Sequence, residues 1–129
     1  MLRIAGWCWM AIAILHAGVG LIVYWPQWQM IGQAGWFNVL APDPLAPIFE
    51  REDAFWFMMM TPFLVILGRL CLWAHWQKLT LPLSVSIILL GVVVCGIVLM
   101  PISGFWLVLI PSLMLLWASK ATGYNASAE

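Results

Sequence analysis

The sequence predicts an all-α integral membrane protein: a four-helix bundle, up-down-up-down, with a long extracytoplasmic loop between helices 1 and 2. Three observations predict it. Four apolar stretches, Ile4–Trp25, Ala54–His75, Leu81–Met100 and Ser103–Ala118, each approach the roughly 20 residues that cross a hydrocarbon core of about 30 Å as helix. Hydrophobic residues make up 65% of the chain and charged residues 8%, with a mean hydropathy of +1.03, so a water-soluble globule would lack the polar residues to cover its surface. The alternation of polar and apolar residues that marks a membrane barrel is missing, which leaves helices to satisfy every backbone N–H and C=O within lipid.

The elements follow in order, as one transmembrane domain over residues 1–129 with helices near 4–25, 47–76, 81–100 and 103–120. Arg3 before an apolar run imitates a signal peptide, but the length of the run, its bulky aromatics and His16 inside it argue for a retained first span. Residues 26–46 carry Trp28, Trp36 and Phe37 among Gly32, Gln33, Gly35 and Asn38. That is too long for a simple connection, and it reads as an interfacial loop capping the outer mouth of the bundle. Pro47 and the acidic residues after it suit a helix start, where negative charge meets the positive end of the helix dipole. Thr80 is a candidate cap for the third helix, with Pro82 tolerated in its first turn. In Pro101-Ile102-Ser103-Gly104 the proline stops the third helix and Ser103 caps the fourth. Most of the ten Trp fall near span ends, as an aromatic belt does.

Charge gives an orientation. Arg3, Arg69, Lys78 and Lys120 share one side of a chain that crosses four times, while the other side holds only Arg51 among Asp43, Glu50, Glu52 and Asp53. Both termini are therefore expected in the cytoplasm. Arg51 is expected to pair with Glu50, Asp53 or Asp43, and Arg69 to snorkel toward the cytoplasmic interface. Net charge is zero and the basic residues are scattered, which excludes a nucleic-acid footprint.

Small residues at helical spacing, Gly6, Ala13, Ala17 and Gly20 in the first span and Ser84, Gly91 and Cys95 in the third, mark faces expected to pack closely. His16 lies on the first of these stripes, and an ionisable residue inside a span is a functional candidate. Counted at 1.5 Å per residue, His16, Thr61-Pro62, Pro111-Ser112 and Cys95 fall at similar depths. The prolines at 62 and 111 loosen the carbonyls of Met58 and Leu107 beside that layer. A polar constriction beneath an outward-facing apolar pocket follows. Its candidate ligand-binding residues are His16, Trp36, Trp56 and Met58, with Thr61, Cys95 and Trp106.

Catalytic and metal chemistry find few partners. His16 and His75 stand about half a membrane apart, too far for paired haem ligation. A soft-metal site from His16, Cys95 and one of Met58, Met59 or Met60 needs side chains that point in different directions to converge. Cys8, Cys71 and Cys95 form no C-x-x-C pair. No carboxylate shares the layer of His16, so an acid–base enzyme lacks its second group. Small multidrug exporters resemble the chain in size, but the first span here has no embedded Glu. No cofactor, no metal and no catalytic residue is assigned.

His16-Ala17-Gly18-Val19-Gly20-Leu21, the acidic run Phe49-Glu50-Arg51-Glu52-Asp53, Leu67-Gly68 and Met100-Pro101-Ile102-Ser103-Gly104-Phe105-Trp106-Leu107 resemble a family of small bacterial four-span membrane proteins classed as a domain of unknown function. The resemblance runs over nearly the whole chain and implies a multi-pass protein of the bacterial inner (plasma) membrane. Two roles remain beside a membrane enzyme using His16. One is non-catalytic binding of an apolar or lipid-like small molecule in the outward-facing pocket. The other is an accessory subunit that meets a membrane-protein partner, or a second copy in a homo-oligomer, through its aromatic outer loop.

Overall fold

The computed structural model describes residues 1–43 and 45–126 of the chain, with side-chain surroundings up to Lys120. Among the described residues there are five helices and no strand: α1 (Leu2–Val23), α2 (Trp25–Gln33), α3 (Phe49–Trp76), α4 (Leu83–Leu99) and α5 (Phe105–Ala126). The expected four-helix bundle is thus corrected to an all-α fold of five helices. The extra helix lies where an irregular loop was expected. Pro26 occupies the first turn of α2, where its missing N–H would have been unpaired anyway.

The count of long apolar helices changes as well. Among the described residues only α1 and α3 are both long and apolar enough to cross a membrane, while Leu83–Leu99 and Phe105–Lys120 form shorter apolar helices. At 17 residues, α4 spans about 25 Å. Its bounds shrink because Pro82 stands as the residue before the first turn with no side-chain cap, and Met100 ends it ahead of Pro101. Thr80 plays no capping part.

Two compact units make up the chain. The first comprises Met1–Ile12 and Leu64–Glu129. Here α1 meets α3 at backbone distance: a Cβ on Gly6 would stand 3.0 Å from the Gly68 carbonyl oxygen, and one on Gly68 3.0 Å from that of Gly6. Small residues allow such an approach, and dispersion then acts along both backbones. Ala5, Trp9, Cys71, Leu72 and Ala74 are buried around it. Helix α3 ends in a Schellman motif, with Lys78 at φ 54°, its N–H on the His75 carbonyl and that of Leu79 on Ala74.

In the same unit α4 packs on α5. The buried face of α4 is Ser86, Val93 and Gly96, whereas Ser84, Gly91 and Cys95 are exposed, so the small-residue stripe assigned from sequence lies on the wrong side. The Phe105 ring covers Gly96 so closely that a Cβ there would come within 2.5 Å of it. Ser86 and Ser119 hydroxyls meet at 2.8 Å, and Ser119 also donates to the Leu115 carbonyl at 3.0 Å. The turn before α5 is held by Ser103, whose Oγ donates to the Met100 carbonyl at 2.6 Å and accepts from the Phe105 N–H at 3.4 Å.

The second unit is Ala13–Phe63, with Ala13, Ile31, Val39 and Ala54 buried. Its α3 segment starts at Phe49, the Arg51 and Glu52 N–H groups closing on the Ile48 carbonyl. Arg51 does not form the expected ion pair: among the described residues it meets no carboxylate, and its Nη1 donates to the Val39 carbonyl at 3.0 Å. Asp43 is occupied in its own turn, accepting from the Leu45 N–H at 3.0 Å.

Candidate functional site

The site is built by α2 and the turn that ends it. Trp25, Trp28 and Gln29 share one face because residues three and four apart are neighbours on a helix. The helix closes with a second Schellman motif, the Gly35 N–H on Gly32 and the Trp36 N–H on Ile31, at 3.1 and 3.4 Å. Gly35 takes φ 91°, a conformation that costs a side chain with a Cβ. That reversal brings Trp36 back over the helix, its indole within 3.7–3.9 Å of where a Gly32 Cβ would lie.

Leu21, Trp25, Trp28, Gln29, Trp36 and Met58 line the resulting open groove, of about 340 Å³ with an almost wholly apolar wall. Trp28 Nε1 makes a long 3.4 Å bond to the Gly20 carbonyl. Against Gly20 sit Met58 and Phe57, 2.5 Å and 2.9 Å from the position of an added Cβ, so α3 presses directly on this turn of α1.

His16 lies half-buried on that contact. Its Nε2 is 2.8 Å from the Phe57 carbonyl oxygen. A carbonyl brings no proton, so Nε2 carries the hydrogen and donates. The ring also stacks on Phe57, with centroids 4.0 Å apart and planes 11° apart, and Tyr24 meets the same ring at 5.3 Å. Pro62 inside α3 has no N–H for Met58 and pushes that turn open. The side-chain donor goes to the neighbouring carbonyl, Phe57.

Of the residues proposed from sequence, Trp36 and Met58 come together in the groove. Thr61 lies one turn along α3 from Met58, its Oγ1 buried without a partner. Trp56 is exposed and does not line the groove. Cys95 and Trp106 belong to the other unit, both exposed, with Trp106 Nε1 donating to the Pro101 carbonyl at 2.9 Å. Ser112, also there, donates to the Val108 carbonyl at 2.7 Å. Leu21, Trp25, Trp28 and Gln29 were not singled out from sequence as site residues. The signal for three of them was the Trp-Pro-x-Trp-Gln spacing, which puts both indoles on one face once Pro26 is read as a helix start. Among the described residues no group of three or more His, Cys, Asp or Glu is placed to hold a metal ion.

Fold and groove together define a small all-helical protein with apolar helices suited to membrane association. The chain belongs to the Family of unknown function (DUF6463), matched over residues 1–122. The resemblance read from sequence therefore holds for a family without assigned activity, while its four-span architecture gives way, among the described residues, to two long apolar helices among five. No curated protein and no solved structure matches the chain.

Proposed function

We propose that this chain is a multi-pass protein of the bacterial inner membrane that binds an apolar or lipid-like small molecule, without catalysis, in the tryptophan-walled groove of α2. The observation that carries the reading is the groove itself. Its volume of about 340 Å³ falls in the range of about 300–1,000 Å³ typical of small-molecule sites. Three indoles give it rigid apolar walls, and Gln29 is the one polar side chain in the lining. His16 supports a non-catalytic role, because its Nε2 proton is already committed to the Phe57 carbonyl.

Membrane embedding is supported by what the long helices leave uncovered. Only 22% of the most apolar window of α1, and the same share of α3, is buried, whereas the core helix of a soluble protein is mostly covered. Orientation rests on Arg3, Arg69, Lys78 and Lys120. With α1 and α3 crossing, the α4–α5 hairpin returns the chain to the side it left, and both termini lie in the cytoplasm.

The test is native mass spectrometry of protein extracted in mild detergent, with lipid extraction of the same sample. Wild type should carry a stoichiometric apolar molecule that Trp28→Ala and Trp36→Ala lose. Wild type that stays bare in the presence of added lipids refutes the reading. Tags at Met1 and Glu129 should resist protease in sealed right-side-out vesicles, and cleavage of either refutes the orientation. An accessory-subunit role is favoured by one separate observation: Phe37 and Leu45 in the loop after α2 are 90% and 95% exposed, as unpartnered interface anchors are. Stable co-purification of another membrane protein, with an empty groove, would select it.

A further inference from the structure

We propose that Arg69, Trp73 and Trp76 form a binding site for the headgroup of an anionic phospholipid. The inference rests on the reading that α3 lies in a bilayer and is independent of the groove on α2. Val65, Ile66, Arg69, Leu70, Trp73 and Trp76 line an open cleft of about 330 Å³ along the last three turns of α3.

Arg69 is exposed there, and among the described residues no carboxylate pairs with it. Its one described interaction is with an aromatic ring, the guanidinium carbon standing 6.0 Å from the centroid of Trp76. Residues seven apart lie on one face of a helix, and because helical Cβ atoms tilt toward the N-terminus the Trp76 ring leans back toward Arg69. The Arg69 backbone lies about 10 Å short of the Trp76 level. Beside that ring the charge stands among indoles that favour the headgroup level, rather than in hydrocarbon where it is costly.

The guanidinium is a planar fork that stands near one ring, and among the described residues no partner takes its N–H groups. Such a fork matches the oxygens of a phosphate two at a time. Ile66 and Leu70 are exposed on the same face and offer apolar surface to the start of an acyl chain. No acidic side chain lines the cleft, so the ammonium of a zwitterionic headgroup gains no ion pair. The charge complement therefore favours a lipid of net negative charge.

The experiment titrates full-length protein in mild detergent with phosphatidylglycerol or phosphatidylcholine of matched chains and counts bound lipid by native mass spectrometry. Wild type should retain one phosphatidylglycerol in preference to phosphatidylcholine. Arg69→Gln should lower that retention about fivefold, and Trp76→Leu, which keeps the charge but removes the ring that positions it, should lower it severalfold. Arg69→Lys should keep part of the preference, as a point charge does. Equal retention of the two lipids by wild type, or an unchanged preference in Arg69→Gln or Trp76→Leu, overturns the proposal. Millimolar inorganic phosphate should leave the lipid in place, and its displacement would assign the cleft to a soluble anion instead. Alkaline extraction separates the two readings: a chain released from membranes sinks the embedding of α3, while a chain that stays but shows no preference sinks the Arg69 site alone.

Discussion

Replacing Gly68 by alanine probes a close backbone approach of α1 and α3. The new Cβ would lie 2.9 Å from Met10 Sδ, 3.0 Å from Met10 Cγ and 3.0 Å from the Gly6 carbonyl oxygen. Met10 has a flexible side chain and can swing aside. The Gly6 carbonyl belongs to a helix backbone and moves only if α1 moves. Overpacking of this kind costs about 1–3 kcal/mol, and the higher helix propensity of alanine returns about 0.5–1 kcal/mol. Gly91→Ala supplies the control, because nothing lies within 4 Å of its added Cβ and only the propensity gain applies. The gain cancels between the two variants, so Gly68→Ala should be less stable than Gly91→Ala by about 1–3 kcal/mol. Reversible unfolding in mixed micelles, titrated with a denaturing detergent, measures the difference. Two variants that agree within error would mean that α1 and α3 do not touch through these glycines.

Three further outcomes are expected. His16→Leu removes the donor to the Phe57 carbonyl and should lower stability by about 0.6–2 kcal/mol, the range of hydrogen bonds between membrane helices; His16→Gln should recover part of it, and equal stability of all three proteins would show that the bond contributes nothing. Arg51→Met frees the Val39 carbonyl and should speed limited proteolysis within residues 34–48, while Glu50→Gln, with no ion pair to lose, should leave it unchanged; the opposite order would restore the ion-pair reading. Ser119 spends its only proton on Leu115, so Ser86 must be the donor between the two hydroxyls. Ser119→Ala then orphans a buried donor at about 1–3 kcal/mol, whereas Ser86→Ala costs about 0.5–1.5 kcal/mol, and a reversed ranking in the same unfolding assay contradicts this donor assignment.

The helical class and the positions of the long apolar segments were legible because hydropathy is a local property, summed over a window that the sequence contains. The Gly6, Ala13, Ala17 and Gly20 stripe was legible for a related reason, its spacing along one helix: Gly6, Ala13 and Gly20 are buried and Ala17 is half-buried. Helix α2 was not. Its Gln and Gly content resembles a loop, and Pro26 reads as a stop unless its place in the first turn is recognised. The Arg51 ion pair failed because neighbouring opposite charges along a sequence say nothing about which carbonyl the fold brings near. Val39, twelve positions away, became the partner through the turn after α2.

The α4 face shows why a stripe of small residues alone underdetermines packing. Residues 83–99 are apolar nearly all round, so no polar side opposes a buried one and amphipathicity gives no direction. Two registers then compete, one through Ser84, Gly91 and Cys95 and one in which Ser86 and Gly96 flank Val93. Spacing alone does not rank them. The second is buried because α5 brings a ring to Gly96 and a hydroxyl to Ser86, and both arrive through the tight turn at 100–104. Hydrogen bonding goes with that choice, since Ser86 meets the Ser119 hydroxyl on α5 while Ser84, in the other register, is exposed. The pairing of Ser86 with Ser119 therefore selects the face, and the partner that selects it lies 33 residues further along the chain.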